Sequence, residues 1–209
     1  AQAEEFDRLF RTHVANAYRL AGLAAPEALS QPIRQQAAPS LHQPTGLLHP
    51  TIDGMETSYY EWLYAGRMDL TCTDAAMQRG EHLLRAIHYG FNETQQFFRV
   101  DVDAARLAQL PAWTLDLLFS HGVQVRVTRE SNALQAQIVS PAPGTIPCAF
   151  DRILELAVPL DIFQLKPAER ITLTISLLSG EDLLERHPAQ GVFELLTSGT
   201  ELEAGSWSV

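Results

Sequence analysis

The stretch that decides the fold is "HLLRAIHYGFNETQQFFRVDVD", residues 82–103. Two segments, 82–91 and 96–103, flank the polar sequence "NETQ", and the second segment alternates apolar and polar residues. Alternation with a period of two is typical of a strand, and a short polar turn between two strand-like segments predicts a β-hairpin. On the second strand, one face carries Phe98, Val100 and Val102, and the other carries Phe97, Arg99, Asp101 and Asp103.

The same signals continue through the rest of the chain. Turn formers such as "PAPG" (141–144) and "LKPAER" (165–170) separate short apolar-rich segments, and "PLDIFQL" (159–165) predicts one turn of helix. Many short strands with Pro- or Gly-containing turns predict a mainly β protein, an antiparallel β-sandwich of jelly-roll or immunoglobulin-like type. The further predicted strands are 113–120, 123–129, 133–140, 151–160, 170–179, 182–186 and 191–197.

Two other kinds of sequence precede the strands. In residues 1–25, apolar residues recur at three- and four-residue spacing, which predicts an amphipathic helix over about 3–22 that ends at Gly22. Residues 26–50 contain five prolines, which predict a linker or an extended crossing segment. We therefore expect a helix in 1–25, a Pro-rich linker in 26–50 and a β-sandwich domain in 51–209.

Composition limits the partners and the compartment. The 209 residues carry a formal net charge of -10, which disfavours nucleic acid and anionic membranes as partners. The start of the chain lacks an initiator Met and the apolar segment of a signal peptide, so we expect a fragment of a longer cytoplasmic protein. Cys72 and Cys148 lie in no metal-binding pattern, and we expect two reduced thiols, with a disulfide as the alternative.

The chain contains no phosphate-binding loop, no HExxH and no GxSxG motif, but it does contain paired carboxylates. Asp101 and Asp103 share a strand face roughly 6–7 Å apart, a spacing that would suit two glycosidase acids or a calcium site. We favour the simpler interpretation, a solvated polar face. Asp53 is expected to be a turn residue before Gly54 and is also a weak calcium candidate. "ERHP" (185–188) is a weak metal-binding pattern.

The segment "SYYEWLY" (58–64) concentrates aromatic residues. If it is a strand, Tyr60, Trp62 and Tyr64 lie on one face and Tyr59 on the other, and the first three would form a flat platform for sugar stacking. Alternatively, these rings fill the core. We expect Trp62 to be buried in the core, and for the tyrosines both alternatives stay open.

Four segments together resemble a known family. They are "FRTHVANAYRLAGLAAPEAL", "PTIDGMETSYYEWLYAGRMD", "AAMQRGEHLLRAIHYGFNETQQFFRVDVD" and "ILELAVPLDIFQLKPAERITLTISLLSGEDLLERHPAQGVFEL". They resemble the C-terminal part of glycoside hydrolase family 57 proteins, the α-amylase/α-mannosidase-like enzymes. The last segment is also similar to the sandwich modules grouped with family 9 carbohydrate-binding modules.

The resemblance implies a parent enzyme in which an incomplete β/α barrel carries the catalytic Glu and Asp. Neither catalytic motif is present here, so no catalytic residue is carried over. The resemblance implies a non-catalytic accessory domain that stabilises an α-glucan-active glycosidase, with the rest of that chain as partner. The alternative is an α-glucan-binding module that uses the exposed Tyr and Trp residues. A third hypothesis, an independent glycosidase, would use Asp101 and Asp103. No cofactor is expected, with calcium as the alternative.

Overall fold

The structure is a computed structural model that describes residues 2–26, 29, 41–71, 82–131, 133–164, 170–189 and 191–196. By its internal contacts the chain divides into two units, Ala1–Ala38 and Pro39–Val209. Among the helices that the structure describes, none is both long enough and apolar enough to cross a membrane.

The first unit contains helix α1, Gln2–Leu20. Its C-terminal end is a Schellman motif, in which Leu23 N donates to Tyr18 O at 2.9 Å and Gly22 N donates to Arg19 O at 3.1 Å. Gly22 has a φ of +70°, a conformation that favours glycine. The predicted helix and its end at Gly22 are therefore confirmed. On its apolar stripe, Leu9 and Phe10 are about half exposed.

The second unit is an antiparallel β-sandwich, which confirms the predicted fold class. Its strands are β1 Leu41–His42, β2 Gly66–Asp69, β3 Leu84–Phe91, β4 Gln95–Val102, β5 Ala112–Phe119, β6 Gln124–Glu130, β7 Ala133–Ser140, β8 Gly144–Thr145, β9 Cys148–Phe150, β10 Ile153–Pro159, β11 Ile171–Ser179, β12 Asp182–His187 and β13 Phe193–Leu195. A short helix, α2, spans Ala104–Leu107, and 3-10 turns span Ser120–Gly122 and Leu160–Phe163.

The strands form two sheets. Sheet A has the order β1-β2-β3-β4-β10-β9, and sheet B has the order β12-β11-β5-β6-β7-β8, with β13 also paired to β11. The main core lies between the sheets, and the longer strands such as β4, β5 and β11 supply alternate residues to it. On β4 these are Phe98, Val100 and Val102, as the period of two predicts. Across the "NETQ" turn, Asn92 Oδ1 accepts hydrogen bonds from Thr94 N at 2.9 Å and Gln95 N at 2.8 Å.

Two segments before β2 have structure of their own. Within the predicted Pro-rich linker 26–50, β1 pairs with β2 and Leu48 is only 2% exposed. The segment 58–64 is not a strand. Glu61 N donates to Ser58 O, Leu63 N to Tyr60 O and Ala65 N to Trp62 O, and these bonds make successive turns. Sheet A resumes only at Gly66.

Candidate functional site

The loop 51–65 covers part of the outer face of sheet A, the face turned away from sheet B. A second, smaller core forms beneath it from Leu48, Trp62, Phe97 and Ala157, with Ile52 and Ala65 packed against it. Trp62 is 6% exposed, so the prediction that it is a core residue is confirmed. Phe97 lies on the β4 face opposite Phe98, and because the loop covers Phe97, this part of sheet A is buried on both faces.

A buried carboxylate on β10 fixes the loop. Glu155 Oε2 accepts hydrogen bonds from Gly54 N at 2.8 Å and Asp53 N at 3.1 Å, and its Oε1 accepts one from Trp62 Nε1 at 3.0 Å. Burial raises the pKa of Glu155, and these three donors offset that rise only in part. A carboxylate without exposed surface requires such donors, since an unpaired buried charge is strongly unfavourable. Glu155 therefore connects both halves of the loop to sheet A.

The Ile-Asp-Gly turn is held from a second side. Gly54 has a φ of +83°, and a Cβ at this position would lie 2.6 Å from Asp151 N. Its carbonyl accepts hydrogen bonds from Arg152 N at 3.0 Å and Ile153 N at 3.1 Å. Asp53 is a turn residue, as predicted, because its Oδ1 accepts a hydrogen bond from Met55 N at 2.9 Å.

The middle of the loop is ordered by Glu61. Its carboxylate accepts hydrogen bonds from Thr57 Oγ1 at 2.7 Å, Thr57 N at 3.1 Å and Ser58 N at 3.3 Å. Desolvation by itself would raise the pKa of Glu61, but these hydrogen bonds outweigh it and lower the pKa. An acidic side chain that accepts from the amides three and four positions before it closes a tight turn, which is why the segment does not extend into a strand.

The turns point three tyrosines outward. Tyr59 is 72% exposed, Tyr60 73% and Tyr64 50%. The rings of Tyr59 and Tyr60 meet edge to face, with centroids 5.6 Å apart. Tyr64 packs over Gly46, where an added Cβ would lie 3.2 Å from the ring, and Thr45 N donates to Tyr64 O at 2.9 Å. The structure thus separates Trp62 from the tyrosines that the sequence placed with it on one face.

A polar groove with a volume of about 690 Å³ lies on the outer face of sheet A, beside the part that the loop covers. Salt bridges connect side chains that line the groove. Arg99 Nε binds Asp101 Oδ1 at 2.7 Å, and Arg99 Nη1 binds Glu56 Oε2 of the loop at 3.0 Å. His88 Nε2 lies 3.2 Å from Asp101 Oδ2. The charged side chains that line the groove are Arg67, Asp69, Arg85, Arg99, Asp101, Asp103 and Arg152.

Asp101 and Asp103 both line this groove, but their surroundings differ from those of a glycosidase acid. Burial alone would raise the pKa of Asp101, and the hydrogen bonds from His88 and Arg99 outweigh burial and lower the pKa. Asp103 is the N-cap of α2, where it accepts from Arg106 N at 3.2 Å, and it also pairs with Arg85 at 2.9 Å. A general acid for glycoside hydrolysis needs a raised pKa, and both aspartates have a lowered one.

The calcium candidates are not brought together. Among the residues that the structure describes, Asp53, Asp101 and Asp103 do not form a group whose oxygens could share one ion, whereas His82, Glu185 and His187 do form such a group. Of the cysteines, Cys148 is a free, half-buried thiol whose pKa is raised by burial, and Cys72 lies outside the described residues.

Sequence reasoning missed Glu155, Arg99 and His82 as site residues. Glu155 did leave a signal, because it is the one charged residue inside the apolar strand "ILELAVP", and a carboxylate there must find partners. His82 left none, since its neighbours in space, Glu185 and His187, are about a hundred positions away in the sequence.

Comparison with models of protein families, with curated proteins and with solved structures finds no match to this chain.

Proposed function

We propose that this β-sandwich is a non-catalytic carbohydrate-binding domain whose contact surface is the tyrosine loop (residues 51–65) and the adjoining groove. The observation that carries the proposal is the exposure of Tyr59, Tyr60 and Tyr64, by 50–73%, on a loop fixed by buried hydrogen bonds. Rings that a fixed backbone holds outward form a preorganised surface on which a sugar ring can stack.

The groove supplies the polar half of such a site. Its side chains carry both signs of charge, in pairs such as Arg99 with Asp101 and Arg85 with Asp103. Each pair offers N–H donors and carboxylate acceptors side by side, and neighbouring sugar hydroxyls need both. Glu56 lies on the loop and binds Arg99 in the groove, so the loop and the groove are in direct contact. The resemblance to family 57 makes α-glucans the first class to test.

The test is affinity electrophoresis and calorimetry with glycogen and maltooligosaccharides. We expect retardation of the wild-type chain, and we expect Tyr60→Ala and Tyr64→Ala each to weaken binding by about 2- to 12-fold, the loss of one aromatic contact. The matched control is Leu183→Ala, which removes an apolar side chain that is 56% exposed on β12 of sheet B. If glycans leave the mobility unchanged, or if the tyrosine variants bind like the control, the proposal is wrong.

A second candidate is an accessory role in which the chain stabilises an adjoining glycosidase region. It is favoured by α1, where Leu9 and Phe10 are half exposed on an amphipathic helix. In a chain extended upstream of Ala1, Leu9→Gln with Phe10→Gln would then lower the half-life of activity at elevated temperature. A variant that keeps the wild-type half-life would contradict this role.

A further inference from the structure

Three potential metal ligands meet at one end of the sandwich. His82 lies two residues before β3 of sheet A, whereas Glu185 and His187 lie on β12, an edge strand of sheet B. The last two are two positions apart on a strand and therefore share a face. One nitrogen of each histidine and one oxygen of the glutamate all lie within 4.8 Å of one another. The group thus brings side chains from both sheets to a single point.

The positions of these side chains are fixed by the fold. The Glu185 carboxylate accepts hydrogen bonds from the backbone N–H of Leu83 and of Leu84, the two residues that follow His82. His187 is 4% exposed, and its Nε2 lies 3.1 Å from Glu185 Oε2. The rings of His82 and His187 are 6.0 Å apart between centroids. The carboxylate that would contact an ion is therefore held beside both imidazoles before any ion arrives.

The spacing and the ligand types select a class of metal. Ligands about 2.1 Å from a tetrahedral ion lie roughly 3.4 Å from one another, a distance that Glu185 and His187 already approach. The ligand nitrogen of His82 lies within 4.8 Å of the ligand atoms of Glu185 and His187, so binding of an ion by all three side chains requires this ring to move closer. Two imidazoles with one carboxylate suit Zn²⁺ and similar transition metals, whereas Ca²⁺ and Mg²⁺ prefer oxygen ligands alone.

We propose that His82, Glu185 and His187 form a binding site for one Zn²⁺-type divalent transition metal ion that crosslinks the two sheets. His82 also lines the polar groove, so water can supply the fourth ligand from that side.

The site is tested on the untagged chain after chelator treatment and dialysis. Zn²⁺ is titrated against a chromophoric chelator, and bound zinc is counted by mass spectrometry. We expect one zinc per chain and, at a free zinc concentration about 100-fold above Kd, a rise in Tm of about 5–11 °C. Millimolar Ca²⁺ or Mg²⁺ should leave both readouts unchanged.

Variants separate this site from adventitious binding. His82→Gln and His187→Gln should each weaken zinc binding by more than about 100-fold, since loss of a direct ligand exceeds the effect of losing an outer partner. His49→Gln, at an exposed histidine outside the cluster, and Cys148→Ser should bind zinc like the wild type. Because His82 is only half buried, the His82→Gln chain should remain folded, which circular dichroism would verify. Wild-type affinity in both ligand variants, or no zinc bound to the wild type, would overturn the proposal.

Discussion

Replacing Glu155 by Gln tests whether one buried carboxylate holds the tyrosine loop. The carboxylate accepts three hydrogen bonds, from the amides of Asp53 and Gly54 and from Trp62 Nε1. A glutamine offers one oxygen in place of two. If that oxygen faces the two amides, the NH₂ group faces the indole N–H, and both of these buried donors are left without an acceptor.

The expected loss follows from these contacts. An unsatisfied buried donor costs about 1–3 kcal/mol, and the two remaining bonds weaken because a neutral oxygen replaces a charged one. Because glutamine is neutral, the variant avoids the cost of burying a charge, and this offsets part of the loss. We expect the free energy of unfolding to fall by about 2–4 kcal/mol, equivalent to a Tm lower by roughly 4–16 °C for a chain of this size.

The assay is urea unfolding followed by circular dichroism, with Glu130→Gln as the matched control on an exposed glutamate at the end of β6. Trp62→Phe keeps an aromatic ring in place and removes the indole donor. Because Trp62 and Glu155 share a hydrogen bond, the double variant should lose less than the sum of the two single losses by about 0.5–3 kcal/mol. If Glu155→Gln stays within about 0.5 kcal/mol of wild type, or if the losses are additive, the carboxylate does not anchor the loop.

Two further predictions concern Gly54 of the loop and Asp101 of sheet A. Gly54→Ala should lower the free energy of unfolding by about 2–5 kcal/mol, because the added Cβ clashes with backbone and positive φ is strained for alanine. The matched control is Gly122→Ala, at a φ of +71° with open space around it, which should lose about 1–2 kcal/mol in the same urea assay. Equal losses in the two variants would contradict the proposed clash at Gly54. The hydrogen bonds from His88 and Arg99 outweigh burial and lower the pKa of Asp101 below its ordinary value of 3.8. The ionised carboxylate therefore stabilises the fold at pH values above 3.8, and this stabilisation is lost as the pH falls through the pKa of the folded state. Asp101→Asn should therefore be less stable at pH 7 by about 1–3 kcal/mol and show a shallower loss of stability below about pH 4, and an unchanged slope would refute the assignment.

The hairpin 84–102 shows what the sequence could predict. Its pairing depends on a local turn at Asn92 and on alternation along each strand, and both are visible within about twenty residues. Most other strands follow the same rule and were predicted close to their observed bounds. The sandwich class follows because short amphipathic strands can bury their apolar faces only by stacking two sheets.

The tyrosine loop shows why the rest could not be predicted. Locally, "SYYEWLY" has the aromatic composition of a strand. Its turns form because Glu61 accepts hydrogen bonds from Thr57 and Ser58, and because Glu155 binds residues about a hundred positions away. The burial of Trp62 could be predicted from its size and apolar character. The outward direction of the tyrosines depends on tertiary hydrogen bonds that no local pattern encodes.

On the outer face of sheet A, the loop-covered part and the charged groove meet at the paired strands β4 and β10. Arg99 and Glu155 are directly opposite one another in the register of these strands. Glu155 is buried under the loop and binds Gly54, whereas Arg99 reaches Glu56 of the same loop and Asp101 of the groove. The boundary between the loop-covered part and the charged groove therefore lies between Glu155 and Arg99, and the loop forms hydrogen bonds or salt bridges with both side chains. A ligand that contacts the tyrosines and the groove together would touch a single rigid surface, so removal of the Glu155 anchor should weaken its binding even though Glu155 itself is buried.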